Sequence, residues 1–189
     1  MLMATGSEPA VATGGEKSGP GDVPAFGRPS RAQRLRAAGN LANLSTLAGL
    51  VVARLGGCAL RRGPDGLILA EGYRLRFPVA GAFTIGDVVI TAHAFAALQR
   101  QLPRLLAHEE RHSWQYFWCF GLPFFLLYTA AMGWSVLRTG DRAARNIFER
   151  RAGLADGGYP DRPVIPLTAQ ARRTVAWLRQ RSPSRPRSS

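Results

Sequence analysis

The sequence predicts an α+β fold, with short antiparallel strands followed by a helical hairpin and a further helix downstream. Three observations carry this. Residues 57–92 alternate in hydrophobicity between turn signals, which is the period-two signature of strands. From 94 to 154 the chain reads as helices separated by breakers at Pro103, Gly121-Leu122-Pro123 and Thr139-Gly140-Asp141. Inside that helical half lies His108-Glu109-Glu110-Arg111-His112, which sets two imidazoles one helical turn apart on one face.

The 189 residues suffice for one modest domain with tails. Formal net charge is +13, and nearly all the positive charge is arginine, with Lys17 the only lysine. Such a balance favours anionic partners, nucleic acid or acidic headgroups, and says nothing of fold. Cys58 and Cys119 make neither a disulfide framework nor a C-x-x-C pair, so a reducing compartment is expected. No charged segment followed by an apolar run opens the chain. The expected location is therefore the cytoplasm, with membrane association left open.

Four parts are expected in order. Residues 1–30 are rich in Gly, Pro, Ala, Ser and Thr and read as a disordered leader. Residues 31–56 read as an apolar helix that Ser30 can cap, with leucines at helical spacing and polar Asn40, Asn43, Ser45 and Thr46 among them. Residues 57–159 form the principal domain. Its strands are expected at 58–62 and 67–71 around the turn Gly63-Pro64-Asp65-Gly66, at 73–77, and at 83–85 and 88–91. Its helices are expected at 94–101, 103–120, 122–138 and 142–154. Residues 160–189 are a basic, largely disordered tail with a short helix at 167–180.

Residues 113–137 carry no charge and hold nine of the 17 aromatics. The run is long enough for a span of about 20 residues, but Gly121 and Pro123 divide it. Two elements result, meeting either a protein core or a membrane surface, and arginines crowd the distal flank.

The chemistry-bearing residues are His108, Glu109 and His112. Two neutral His ligands, with a neighbouring carboxylate able to take a proton from water, form the pattern of a zinc hydrolase. The plain alternative is a polar helix face paired with nearby arginines. A third ligand follows from counting heights along the helices at about 1.5 Å per residue. If the helices run antiparallel with short loops, Glu149 returns near the level of His112. The rival reading of Glu149 is an ion pair with Arg145 or Arg142. Gln115 shares the face of His112 and is a candidate to hold water or a substrate carbonyl, and His93, at a strand end, is a candidate outer contact.

His108–His112 followed by Asn146-x-x-Glu149 resembles the gluzincin class of zinc metallopeptidases, and the run through Gln115, Gly121, Tyr128, Asn146–Glu149 and Ala152-Gly153-Leu154 looks like small uncharacterised bacterial H-E-x-x-H proteins. The likeness covers about residues 57–159. It implies a zincin-like fold, Zn2+ held by His108, His112 and Glu149, and Glu109 as general base. Tyr128, Tyr159 and His93 are then the candidates to stabilise an oxyanion. Larger gluzincins place an Asp four residues after the ligand Glu; here that position is Gly153, with Asp156 a turn away.

The expected function is a zinc-dependent hydrolase, a metallopeptidase, acting on a peptide or protein. The alternatives are a non-enzymatic membrane-associated helical protein, touching lipid through 113–137 and the basic tail, and a metal-binding zincin-like protein without activity. Nucleic acid is a poor fit as partner, because the tail lacks a reading motif and interleaved aromatics.

Overall fold

The computed structural model describes residues 27–75 and 81–166, together with 168, 169 and 172. The leader up to residue 26 and nearly all of the tail helix expected at 167–180 lie outside the described residues. The architecture is α+β. The helices are α1 (Arg31–Ala42), α2 (Ser45–Leu55), α3 (Phe95–Gln101), α4 (Leu105–Trp118), α5 (Pro123–Thr139) and α6 (Ile147–Ala152). The strands are β1 (Ala59–Arg62), β2 (Ile68–Glu71), β3 (Phe83–Ile85) and β4 (Val88–Thr91).

The single helix expected over 31–56 is two. Ser30 and Gln33 form a reciprocal capping box that starts α1. At its end the Asn43 side chain accepts hydrogen bonds from the Ser45 backbone N and hydroxyl, which begins α2 afresh. Leu44, between them, takes a left-handed conformation with φ 68°.

The sheet runs β1-β2-β4-β3, and it is mixed rather than antiparallel as expected. β1–β2 and β3–β4 are antiparallel hairpins, but β2 and β4 pair in parallel, with Ile68 opposite Val88. Alternation along a strand reports which face a side chain takes, not the direction of the neighbouring strand. β4 is central and all four of its residues are buried, as its unbroken apolar run Val88-Val89-Ile90 suits. On one face Ala53 of α2 packs with Ala70, Val88 and Ile90. On the other, Phe95 of α3 and Leu106 of α4 pack with Leu67, Leu69 and Val89. Each of the larger side chains among them, Val, Leu, Ile or Phe, contributes about 1.5–3 kcal/mol on full burial.

The strand expected at 73–77 does not form over its described part. Tyr73 and Arg74 give their backbone N–H groups to Thr91 and Gly56 without extending a strand. Pro103 lies in the turn between α3 and α4 rather than opening α4. α6 is shorter than the 142–154 expected. Asp141 accepts from the Ala143 and Ala144 N–H groups, and Asn146 accepts from that of Phe148, so two local caps replace one continuous helix.

Candidate metal centre

α4 places His108 and His112 one turn apart, and α6 turns Glu149 toward them. All three side chains are buried. His108 Nε2 and His112 Nε2 are 3.1 Å apart, and Glu149 Oε2 is 3.3 Å from the first and 3.5 Å from the second.

What those two nitrogens carry is decided at the far side of each ring. His108 Nδ1 lies 3.2 Å from the Ala152 carbonyl oxygen and 3.0 Å from that of Gly153. A carbonyl only accepts, so Nδ1 donates and Nε2 presents its lone pair. Gln115 Nε2 donates to the Phe148 carbonyl at 2.9 Å, which turns its amide oxygen to His112 Nδ1 at 2.8 Å. Again Nδ1 donates and Nε2 is left bare. Two lone pairs therefore converge on one carboxylate oxygen. Although Glu149 Oε2 is within ion-pair distance of both rings, it is buried and makes no hydrogen bond. Such a cluster is unfavourable unless a cation or a proton enters it.

The spacing allows a direct test of fit. Zinc holds N and O ligands at about 2.0–2.2 Å in a tetrahedron, which sets the ligand atoms roughly 3.3 Å from one another. The three observed separations, 3.1, 3.3 and 3.5 Å, bracket that edge. The donor set fits zinc, with the fourth corner left to the cavity.

The electrostatics agree. Burial alone would disfavour a proton on His112, but contact with Glu149 and the charges of Glu109 and Glu149 outweigh it and raise the pKa above 6.5. Burial would raise the pKa of Glu149. Its contacts with His108 and His112 and a hydrogen bond from Tyr128 instead hold it well below the usual carboxylate range. The ligand atoms thus attract positive charge.

Glu109 is buried beside the pair, and its Oε2 accepts from the Thr84 hydroxyl of β3 at 2.7 Å. The Tyr128 hydroxyl donates to Glu149 Oε1, so it orients the carboxylate rather than awaiting substrate. Burial pushes the Tyr128 and Tyr159 phenols upward, and both keep their protons. The Tyr159 ring lies 6.1 Å from that of His108. The chain reaches it through Gly157, where an added Cβ would fall 2.6 Å from the His108 ring. His108, Glu109, His112, Tyr128, Glu149 and Tyr159 all line one cavity of about 390 Å³, whose remaining wall is largely apolar and includes Phe83, Ile85, Phe124 and Met132. This volume suits a small ligand or one or two side chains.

The other expected residues stand elsewhere. Gln115 is occupied by His112 and Phe148 and is not free for water or substrate. Asn146 caps α6 and lies outside the cavity lining. His93 is exposed and outside the cavity lining, so it stabilises nothing there. No acid stands at Gly153, four residues after Glu149; the Ala152 and Gly153 carbonyls hold His108 instead. Asp156 pairs instead with Arg111 at 2.8 Å, and the same guanidinium bonds the Ala152 carbonyl. Sequence reasoning missed Thr84. Its only signal is a lone polar residue between Phe83 and Ile85. Comparison with known proteins adds no family: no family model, no curated protein and no solved structure matches this chain.

Proposed function

We propose that this chain is a zinc-dependent hydrolase of zincin-like architecture, acting on peptide bonds. The observation that carries the reading is the convergence of two bare Nε2 atoms and an orphaned carboxylate oxygen at tetrahedral spacing, beside a buried carboxylate that is not part of the triad. The order of elements supports it: a sheet whose edge strand β3 lies beside the H-E-x-x-H helix, and Glu149 on a later helix.

His108, His112 and Glu149 would hold the metal. Bound zinc supplies Lewis acidity, polarising a carbonyl and bringing the pKa of water to about 7. Thr84 occupies Oε2 of Glu109, whose side chain lines the cavity, and leaves the other oxygen to serve as the proton acceptor. The same carboxyl then returns its proton to the leaving amine. Tyr159, protonated and on the cavity wall, is a donor for a developing oxyanion. Tyr128 and Gln115 act through the ligands by fixing their orientation. The apolar wall favours a hydrophobic side chain next to the scissile bond.

The test is elemental analysis and turnover on the purified full chain. One zinc per chain is expected, with loss of it in His112→Ala. Glu109→Gln should hold zinc and cleave no apolar peptide. Undiminished cleavage by Glu109→Gln, or wild type that takes up no zinc, overturns the reading.

A further inference from the structure

α5 has the composition of a core helix but the exposure of a surface one. Of its 17 residues only Phe124, Ser135 and Thr139 are buried. Leu126 is 73% exposed, Phe125 56% and Trp134 52%, and just before the helix Phe120 is 83% exposed. An apolar helix left open over most of its length marks an interaction surface.

The neighbouring turns extend the patch. Phe120 and Leu44 both stand in left-handed backbone, φ 56° and 68°, a conformation unfavourable for a bulky residue. Both point outward. The two turns touch, because a Cβ on Gly121 would lie 2.7 Å from Asn43.

Charge says what covers the patch. α5 contains no acid and carries Arg138 in its last turn; of the arginines that follow, Arg142 lines the cavity, Arg145 and Arg150 share the single carboxylate of Asp161, and Arg151 is exposed. The Arg138 guanidinium sits 5.3 Å over the Trp134 ring, an aromatic–arginine pair suited to the boundary between an apolar layer and a negative one. A second copy of the chain would bring arginine rims together in a molecule of net charge +13. An anionic bilayer offers acyl chains to the apolar face and headgroups to the rim together. No single helix among the described residues is long and apolar enough to cross a membrane, and α4 and α5, which pass that test only as a pair, bend by 118°.

We infer that α5, with the two adjoining turns, lies along the surface of an anionic phospholipid bilayer, and that the cavity draws its substrate from that layer. Phe125 is more than half exposed yet lines the cavity, and Met132, two turns on, lines it too, so the docking helix forms the cavity rim. The substrate clause rests on the hydrolase reading; the docking clause does not.

The test is sedimentation of the full chain with vesicles of phosphatidylcholine containing phosphatidylglycerol, against phosphatidylcholine alone, with zinc content measured on the same samples. Pelleting with the anionic vesicles is expected, weakened by salt, with a blue shift of tryptophan emission. Leu126→Glu combined with Phe120→Glu should keep its zinc and circular dichroism and lose partitioning by roughly tenfold or more per residue, the loss expected from an unburied large apolar side chain. Wild type left in the supernatant overturns the docking, as does equal binding by the double variant. So does a stable dimer that Leu126→Glu dissociates. A chain that pellets but holds no zinc overturns the hydrolase reading alone.

Discussion

Two buried polar clusters share helix α4, one on each side. Behind it, Arg36 gives Nε to Asp87 at 2.9 Å, Nη1 to Glu110 at 2.8 Å and Nη2 to the Asp65 carbonyl at 2.7 Å. Asp87 also accepts from Asn40, Ser113 and Thr46. In front, His108, His112 and Glu149 meet with the two Nε2 atoms 3.1 Å apart and a buried carboxylate oxygen that has no hydrogen-bond partner. Both clusters are buried and charged, yet only one is complete. The rear cluster is a brace: every charge has its partner, and α1 is tied through it to the sheet and to α4. The front cluster is incomplete, with three ligand-type atoms spaced as a metal ion would need. Burial of charge alone does not mark a site; the unbalanced lone pairs do.

The comparison can be broken from either side. The largest expected effect is chemical. Glu109→Gln should lower the rate of peptide cleavage by about 10²–10⁴-fold while zinc content holds. Next, Asp87→Ala should destabilise the metal-free protein by about 3–5 kcal/mol in urea unfolding, because it leaves Arg36 Nε and the buried Ser113 and Thr46 hydroxyls without their acceptor, with Arg36 held only by Glu110 and the Asp65 carbonyl. His112→Ala should cost the metal-free protein far less than Asp87→Ala, since it removes one of two opposed lone pairs. Equal losses would make both clusters braces. Tyr128→Phe should weaken zinc affinity about 10–100-fold, measured by chelator competition, with little change in fold. Thr84→Val should reduce turnover by about tenfold or less at unchanged zinc affinity, because it frees Glu109 without touching a ligand. The smallest effect lies at the rim. Arg111 holds the Asp156 carboxyl below its ordinary 3.8. Its contribution is full above that value and is lost as pH falls through the lower folded pKa, so Asp156→Asn should blunt the acid limb of a stability profile.

Much of the front cluster was legible from spacing, because a helix converts four residues into one turn without further information. Glu149 was reachable by counting heights along three helices, although the third proved shorter than counted. The rear brace was not legible. Arg36 and Asp87 are 51 positions apart, and neither residue type at its place announces a buried partner. Thr84 and Glu109 are joined only by the packing of β3 on α4. The parallel pairing of β2 with β4 escaped for a related reason, since side-chain alternation is identical in either direction. The break at Asn43-Leu44 was masked by continuous leucine spacing, while an Asn side chain capped the second helix. His93 was misplaced because a rare residue at a strand end has no orientation until the following turn is built.

The tilt of the His108 ring comes from two peptide carbonyls rather than from a side chain. That moves control of one ligand from residue identity to chain path. Exchanging Leu154 or Ala155 for another residue leaves those oxygens where they are. A single inserted residue between Ala152 and Gly157 would swing them away and free the imidazole to flip.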